Sequence, residues 1–421
     1  MAGHERIPMA LNLSFGMSFA DLYDREGLVR LDKAFIDFLA MAEADLAKRL
    51  VSARNSSSAF DPKAESTLIL ELSPHLERFL SQLFGIADAV LALAQKHDEL
   101  DALYRVKRQF VQRKAATRIK PDKLSEIDGV SLETELTELF GGHFDEITFA
   151  KYVELWSQVE ATNAGALEKA LQYAAWALLT PAGRSRNHAG VLFKQATKTD
   201  PYKLLSHASL TNVDGVSAYR IAPGHLRRRE AFHLTDTGTD LVGALDQANY
   251  CIWCHQQGKD SCSRGLREKP APGATQPIVF KKSPFGVTLA GCPLQEKISE
   301  FHLAKTQGLP LAALAIIAVD NPMVAATGHR ICNDCMKACI YQKQEPVNIP
   351  QAETRTLKDV LELPWGFEIY SLLTRWNPLN LRRPLPLPRS GYRVLVSGMG
   401  PAGFSLAHLL INDGHCVVGI D

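Results

Sequence analysis

The sequence has no surplus of charge of either sign, no export signal and no long apolar run, and each absence excludes a class of protein. Lysine plus arginine number 47 and aspartate plus glutamate 46, so the basic surplus of a nucleic-acid-binding protein is missing. The N-terminal residues lack a basic start followed by an apolar stretch and a cleavage site, which predicts a cytoplasmic protein. The longest apolar run, Leu311 to Val319, is shorter than the roughly 20 residues of a membrane span, so it predicts a buried helix instead.

Cysteine is scarce over most of the chain and concentrated in one part of it. Seven of the eight cysteines lie between Cys251 and Cys339, and only Cys416 falls outside. Without an export signal, such clustering indicates metal ligands rather than disulfides. Thiolates are soft ligands that suit iron–sulfur clusters or zinc. The order of the clustered cysteines is Cys251-x2-Cys254, Cys262, Cys292-Pro293 and Cys332-x2-Cys335-x3-Cys339.

The remaining sequence divides the chain into four predicted regions. Residues 1–240 show the apolar spacing of amphipathic helices and contain no catalytic motif. Residues 241–376 hold the cysteines, and the proline-rich segment 377–390 is typical of a stiff linker. Residues 391–421 contain a strand, a glycine turn, a helix and a second strand. The predicted fold class is therefore mainly α, ending in the beginning of an α/β Rossmann-type unit.

Three interpretations of the cysteines stay open on the residues alone. A zinc site would use Cys251, Cys254, Cys332 and Cys335, and it would leave the other cysteines of the region without a role. The segment from Cys251 to His255 matches the covalent c-type haem motif, although that attachment normally needs an exported protein. Two cubane iron–sulfur clusters would need about eight ligands, of which the region offers seven cysteines.

A glycine-rich turn at 398–403 predicts a dinucleotide site. Its G-x-G-x-x-G pattern follows an apolar strand and precedes an apolar helix, which is the context that such a fingerprint requires. The helix N-terminus would attract the pyrophosphate, and an acidic residue after the second strand would bind ribose hydroxyls. Because a doubly wound sheet needs further strands, we expect the chain to be a fragment of a longer protein. The predicted contacts are Gly398, Gly400, Pro401, Ala402, Gly403 and Asp421.

Several short motifs follow one another in a set order from residue 251 onward. They are Cys251-x2-Cys254, Cys262, Cys292-Pro293-Leu294, Asp320-Asn321-Pro322, Arg330-Ile331-Cys332, Cys335, Cys339 and Pro346-Val347-Asn348-Ile349 leading to Glu353. This order resembles the N-terminal iron–sulfur domain of the glutamate synthase small (beta) subunit, a domain that dihydropyrimidine dehydrogenase shares. The resemblance covers about residues 245–421, under half of the chain.

The resemblance implies two [4Fe-4S] clusters whose ligands interleave along the chain. Cys251, Cys254, Cys262 and Cys339 would hold one cluster, and Cys292, Cys332, Cys335 and Glu353 the other. Two departures stand out. The spacing around Cys332 and Cys335 is shorter than the common pattern of the family. A long insertion also separates Cys262 from Cys292, and we expect it to be a surface excursion because it is rich in proline, glycine and lysine, including Lys269, Pro270, Pro272, Lys281 and Lys282.

The function that follows from the resemblance is that of an iron–sulfur flavoprotein oxidoreductase. The Gly-Pro-Ala-Gly turn is similar to the FAD-binding form in that family, so FAD and NAD(P)H are expected cofactors of the full-length protein. Electrons would pass through the clusters to an electron-accepting domain or subunit, and an oligomer is possible. No acid–base or nucleophilic set is present in the sequence, so no catalytic residue is predicted. The alternative is a helical adaptor, a binding module with structural zinc sites.

Overall fold

The structure is a computed structural model that describes residues 12–56, 61–202, 208–221, 226, 229–234, 236–269, 279–329 and 331–421. Its described part is mostly helical, so the predicted mainly α fold class is confirmed. Within that part, no helix is both long enough and apolar enough to cross a membrane. Three residues named in the sequence analysis lie outside the described residues: Pro270 and Pro272 of the insertion, and Arg330 of the motif before Cys332.

Helices dominate the described residues, and the few strands among them are short. The α-helices are α1 (Arg25–Ala42), α2 (Ala44–Asn55), α3 (Pro62–Leu83), α4 (Ala87–Val106), α5 (Ala116–Arg118), α6 (Pro121–Leu124), α7 (Gly129–Leu139), α8 (Glu146–Gln158), α9 (Glu160–Leu179), α10 (Pro181–Arg186), α11 (Leu241–Tyr250), α12 (Ser261–Arg264), α13 (Ile298–Thr306), α14 (Pro310–Asp320), α15 (Val324–Thr327), α16 (Asp334–Lys337), α17 (Ile349–Leu361), α18 (Gly366–Leu373) and α19 (Pro401–Asn412). A π-helical segment, Lys107–Ala115, joins α4 to α5, and short 3-10 helices span Phe19–Tyr23 and Cys254–Gln257. The strands are β1 (Ala208–Val213), β2 (Val216–Ile221), β3 (Arg393–Ser397) and β4 (Cys416–Ile420).

One hydrophobic core joins the first helices to the cysteine region. Helix α3 packs against α14, and α14 packs against α13 and α17. The rings of Phe35 and Phe79 lie within 6.1 Å and 5.9 Å of Trp376, whose indole N–H donates to Asp32 over 2.9 Å. Helix α14 is buried along nearly its whole length, which confirms the helix predicted from its apolar run. The cysteine loops therefore connect helices that pack into this core.

The proline-rich segment that was predicted to be a linker begins inside this core. Leu379 and Leu381 are almost fully buried, and the Asn377 side chain donates to the carbonyl oxygen of Ala315 over 2.8 Å. The apolar residues interspersed among the prolines explain this placement, because burying each leucine stabilises the packed state by about 1.5–3 kcal/mol. The first part of the segment is thus packed rather than extended through solvent.

A second hydrophobic core lies between α4, the π-helical segment, α7, α8 and α9. Its centre is aromatic, with Phe149, Tyr173 and Phe193 meeting at ring distances of 5.1 to 6.0 Å. Tyr104 ties this core to α11, because its hydroxyl donates to the carbonyl oxygen of Val242 over 2.8 Å. The helix that leads into the first cysteine is therefore braced by both cores.

The two small sheets differ in how far the sequence predicted them. Strands β1 and β2 form an antiparallel hairpin, which the sequence analysis missed. Its turn residues Asp214 and Gly215 have φ angles of 52° and 82°, the conformation that an Asp-Gly hairpin turn requires. Strands β3 and β4 are parallel and joined by α19, so the predicted order of strand, glycine turn, helix and strand is confirmed.

Candidate functional site

Four cysteines from separate segments surround one small cavity, which we call the first thiol site. Cys251 follows α11, Cys254 opens a 3-10 helix, Cys262 lies in α12 and Cys339 follows α16. All four side chains are buried, and none forms a disulfide. The cavity between them measures about 10 Å³, and Ile298, Val347 and Ile349 contribute its apolar wall. These are the four cysteines that the sequence analysis assigned to one cluster.

A left-handed turn at Trp253 brings the first two thiols of this site together. Trp253 has a φ of 51°, an uncommon conformation for a residue with a side chain. Its backbone N–H donates to the sulfur of Cys251 over 3.4 Å, and its indole N–H donates to the carbonyl oxygen of Ala248 over 3.3 Å. Packing and hydrogen bonds at the end of α11 thus hold this Cys-x2-Cys turn.

The thiols of the first site differ strongly in their tendency to ionise. A hydrogen bond from the Cys262 thiol lowers the pKa of Cys339 to about 6, and backbone amides of Tyr341, Val347 and Ile340 lower it further. Burial raises the pKa of Cys251 to about 12 and that of Cys254 to about 11. Thiolates are the metal-binding form, so backbone amides that point at a sulfur favour ligation.

A buried polar network borders the first site and was not predicted from the sequence. The Ser299 hydroxyl donates to Asp260 over 3.2 Å and lies 2.7 Å from the ring Nδ1 of His255. The Ser66 hydroxyl of α3 reaches Glu300 at 2.5 Å. These residues position the loop that carries Cys254 and Cys262 against α3 and α13. His255, part of the haem-like motif, is thereby engaged in the protein core.

Two further cysteines and two buried glutamates form a second group, the second thiol site. Cys292 and Cys335 are partly buried. Burial, together with the negative charges of Glu296 and Glu353, raises the pKa of both thiols. Glu296 and Glu353 are each 7% exposed. The side-chain amide of Asn321 donates to Glu353 over 2.9 Å and also bonds Glu296. Glu353, predicted as a cluster ligand, therefore lies near two of its predicted partners.

Burial and mutual repulsion dominate the electrostatics of the second site. Burial, followed by the charge of Glu353, raises the pKa of Glu296 to about 9. Burial also raises the pKa of Glu353 to about 7 and that of Cys292 to about 11. The pKa of Cys335 is raised by burial and then by Glu296. A bound cation would reverse these shifts, because it would favour every ionised ligand at once.

Cys332, the remaining predicted ligand, is exposed at the surface. Its sulfur accepts from the backbone N–H of Asp334 over 3.5 Å. The zinc interpretation grouped Cys332 and Cys335 with Cys251 and Cys254, but the structure groups the latter two with Cys262 and Cys339.

The cysteine and carboxylate side chains of the two sites suit a single metal ion and an iron–sulfur cluster to different degrees. Among the described residues, no three His, Cys, Asp or Glu side chains converge as one metal ion would require. A cubane cluster is instead bound by several thiolates at once. The cavity between the thiols of the first site measures only about 10 Å³. Four buried, unpaired thiols on loops remain a donor set that suits a cluster.

The glycine turn lies between β3 and α19, and two of its glycines differ in the space around them. A Cβ atom at Gly403 would lie 1.8 Å from the carbonyl oxygen of Gly398, so only glycine allows the helix to approach the strand this closely. A Cβ atom at Gly400 would meet nothing within 4 Å, which leaves the backbone open to a ligand. The carboxylate of Asp421 accepts from the backbone N–H of Met399 over 3.1 Å. Pro401 and Ala402, predicted as cofactor contacts in the turn, are the first two residues of α19.

Fold and sites together describe a mainly helical protein with two groups of clustered thiols. The family described as the RP005 N-terminal alpha-helical domain matches residues 13–85, which contain α1 to α3. Uncharacterized protein RP005 of Rickettsia prowazekii (strain Madrid E) is 32% identical over 309 residues, covering 71% of this chain and 100% of that protein. The chain therefore belongs to the RP005 family.

A second relative is matched over only a small part of its length. Uncharacterized protein RP006 of the same organism is 65% identical over 99 residues, which cover 24% of this chain and 14% of that protein. The chain thus spans only 14% of the length of RP006. No solved structure matches the chain.

The assignment to the glutamate synthase small-subunit family is wrong. The family match at residues 13–85 and the relatives RP005 and RP006 replace it, and no glutamate synthase or iron–sulfur family matches. The physical reason is that Cys-x2-Cys pairs and glycine turns are short motifs set by local geometry. Such motifs recur on unrelated folds. Any role of the cysteines therefore depends on their own arrangement in the fold.

Proposed function

We propose that this chain is an electron-transfer protein that holds two iron–sulfur clusters, one at each thiol site. The first site would use Cys251, Cys254, Cys262 and Cys339. The second would use Cys292, Cys332 and Cys335 with a buried carboxylate. Bound clusters of this kind exchange single electrons at potentials set by their surroundings.

One observation carries this proposal. The segment 251–262 and the distant Cys339 together deliver four buried thiols, none of them in a disulfide, to one cavity. Single free cysteines are commonly buried as small apolar residues. A shared metal centre would explain why four of them line the same cavity. The interleaved order also supports the proposal, because Cys339 joins the first site from beyond the cysteines of the second.

Residues around the first site would tune the bound group. The amides of Trp253, Ile340, Tyr341 and Val347 direct N–H groups at sulfur, which disperses negative charge from the thiolates. Ile298, Val347 and Ile349 would exclude water from one side. Hydrogen bonds to sulfur and low solvent access are the main protein contributions to a cluster potential.

The β3–α19–β4 unit supplies the second half of the proposed function. Its open backbone at Gly400 and its acidic Asp421 support the binding of a dinucleotide such as FAD. Bound FAD would supply conversion between two-electron and one-electron transfer, with NAD(P)H as the electron donor and a further domain or subunit as the acceptor. The chain's own contribution there is the glycine turn that admits the pyrophosphate beside the N-terminus of α19.

Metal analysis of anaerobically purified full-length chain tests the proposal. We expect about eight irons and eight acid-labile sulfides per chain, with broad visible absorption that bleaches on reduction. Stoichiometric zinc without iron in the same material would contradict it. A sharp haem spectrum would contradict it as well, and would direct attention to the segment from Cys251 to His255.

A helical adaptor with structural zinc is the second candidate. It is favoured by an open groove of about 550 Å³ beside the second core, where Ile119, Ile127, Leu132 and Leu171 line the wall among more numerous polar and charged residues. Grooves of this size accept a peptide or a small molecule. Redox-silent zinc in the metal analysis would select this function over electron transfer.

A further inference from the structure

We propose that an acidic one-electron carrier protein docks on the surface over the first thiol site and takes electrons from the chain there. This rests on the proposed iron–sulfur function and deepens it by naming the docking surface and the chemistry of the partner. We call the surface the rim, and it is formed by Arg108, Ile252, Trp253, Ile340 and Lys343. In the transfer, one electron leaves a reduced cluster and reduces the partner's centre by one, and no atom or proton moves.

The first thiol site comes closest to solvent at the rim, through two isoleucines. Ile252 and Ile340 line the same cavity as the four cysteines, yet they are 37% and 48% exposed. The other aliphatic side chains of the cavity, Ile298, Val347 and Ile349, are buried. At the rim, therefore, a single side chain separates the cavity from solvent. Electron transfer slows steeply with distance, so a partner seated here would be well placed to receive an electron.

An aromatic pair holds the two halves of the rim side by side. The rings of Tyr250 and Tyr341 stack with their centroids 4.5 Å apart and their planes 8° apart. The Tyr341 hydroxyl also donates to the carbonyl oxygen of Tyr250 over 3.3 Å. Tyr250 comes two residues before Ile252, and Tyr341 directly follows Ile340. The pair therefore fixes the two isoleucines next to each other, as a preformed docking surface requires.

Two basic side chains of the rim form no ion pair with a described residue. The guanidinium of Arg108 lies 5.8 Å from the ring centroid of Trp253 and donates to the carbonyl oxygen of Asn249. Lys343 is exposed in the turn that follows Ile340. Both charges are thus available to a partner on the same surface as the isoleucines.

Acidic residues near the rim are already bonded within the chain. Asp334 pairs with Lys337 over 2.7 Å. The carboxylate of Glu345 accepts from the backbone N–H of Thr197 over 3.2 Å. Positive charge is therefore in excess at the rim.

The excursion between Cys262 and Cys292 adds to this positive field. Its described residues include one exposed acidic side chain, Glu268, and four exposed basic side chains, namely Arg267, Lys269, Lys281 and Lys282. The whole chain has a net charge of only +1, so the concentration of positive charge beside the thiol sites is local. Such a field speeds association with a partner of opposite charge, and electron-transfer contacts are typically small and transient. The rim therefore fits an acidic partner.

Electron transfer from the full chain tests the proposal. Anaerobically purified and reduced protein is mixed in a stopped-flow instrument with plastocyanin, an acidic blue-copper protein, whose Cu(II) becomes Cu(I). Cytochrome c, a basic protein, is the contrasting acceptor, and the neutral oxidant benzoquinone normalises both rates. We expect the normalised rate with plastocyanin to fall about tenfold or more between about 10 mM and about 300 mM ionic strength. The rate with cytochrome c should not fall.

Charge variants locate the effect on the rim. We expect Lys343→Glu to lower the normalised plastocyanin rate about threefold or more at low ionic strength, and to lose this effect at high ionic strength. Arg108→Gln should act in the same direction. Lys33→Glu reverses an exposed lysine of α1, a helix that contributes nothing to the rim, so it is the matched control and should keep the wild-type rate.

Each outcome decides the proposal. A plastocyanin rate that Lys343→Glu leaves unchanged, or one no faster than that of cytochrome c at low ionic strength, overturns it, while full iron content leaves the cluster function intact. A wild-type dimer that Lys343→Glu dissociates in analytical ultracentrifugation would show that a second copy covers the rim, and would overturn it as well. Wild-type protein without iron overturns the proposed function and the docking surface together.

Discussion

The backbone N–H of Cys292 donates to the carbonyl oxygen of Cys262 over 2.8 Å. One residue belongs to the second thiol site and the other to the first, so a single hydrogen bond holds the two sites side by side. The inserted segment begins and ends beside this hydrogen bond. Its two ends are also joined by the backbone N–H of Leu266, which donates to the carbonyl oxygen of Leu289 over 2.9 Å. The insertion is therefore a closed excursion that adds chain without separating the sites.

Shortening this excursion should leave the metal sites unchanged. The backbone N–H of Glu268 donates to the carbonyl oxygen of Val279 over 2.9 Å, so the chain segments on either side of residues 270–278 lie close together. We expect replacement of 270–278 by a short Gly-Ser turn to keep wild-type iron content and to shift the free energy of unfolding by less than about 0.5 kcal/mol. Removal of the whole segment 266–289 is the contrasting variant and should lose iron, because Leu289 is buried at the base. Iron loss in the short replacement would contradict this account.

Serine substitutions should separate ligand from non-ligand cysteines. Cys339 is 2% exposed and lies in the first thiol site, whereas Cys416 is exposed in β4. We expect Cys339→Ser to lose about half of the iron and Cys416→Ser to lose none, as measured by iron and sulfide analysis. Equal iron in both variants would remove Cys339 from the ligand set.

The glycine turn should tolerate a methyl group at one position and reject it at another. A Cβ atom at Gly403 would lie 1.8 Å from the carbonyl oxygen of Gly398, and backbone cannot easily move aside. We expect Gly403→Ala to speed amide hydrogen exchange in β3 and β4 by about tenfold or more, since overpacking typically costs about 1–3 kcal/mol. Gly400→Ala, with open space around it and a φ of −62°, should have a much smaller effect on exchange. Similar rates in both variants would show that the close approach of α19 to β3 is not required.

Glu77 should make the stability of the first core depend on pH. It is buried in α3 and accepts from the N–H of Ala312 over 2.8 Å, and burial raises its pKa from 4.5 to about 8. A raised carboxyl pKa favours the protonated form in the folded state, so folding is penalised progressively as the pH rises from 4.5 toward 8. We therefore expect Glu77→Gln to be more stable relative to wild type at pH 8 than at pH 5. Urea unfolding at both pH values measures this, and a pH-independent difference would contradict it.

Local features of the fold were largely predictable. The apolar run at 311–319 indicated a buried helix, and the structure has α14 there. The glycine turn between two apolar strands indicated a parallel pair, which β3 and β4 form. The β1–β2 hairpin was missed although its Asp214-Gly215 turn is a strong local signal. The family resemblance failed because short ligand motifs do not carry the identity of the helices around them.

The candidate sites were predictable only in part. Residue type and spacing marked the clustered cysteines, and Glu353 is indeed buried near Cys292 and Cys335. Nothing in the spacing distinguished Glu296 from an exposed loop residue, because its burial results from the return of the chain after Cys292. The polar network of Asp260, Ser299 and Glu300 was also invisible, since its members are brought together by α3 and α13.

The sequence by itself determined the helical class, the clustering of thiols and the nucleotide-type turn, because each depends on residues close together in the chain. The tertiary structure alone decided which thiols share a cavity, which carboxylates are buried and how the two sites adjoin. These depend on contacts between segments far apart in the chain, such as Cys339 with Cys262. Their burial, and with it their charge state, is set by the helices that pack around them.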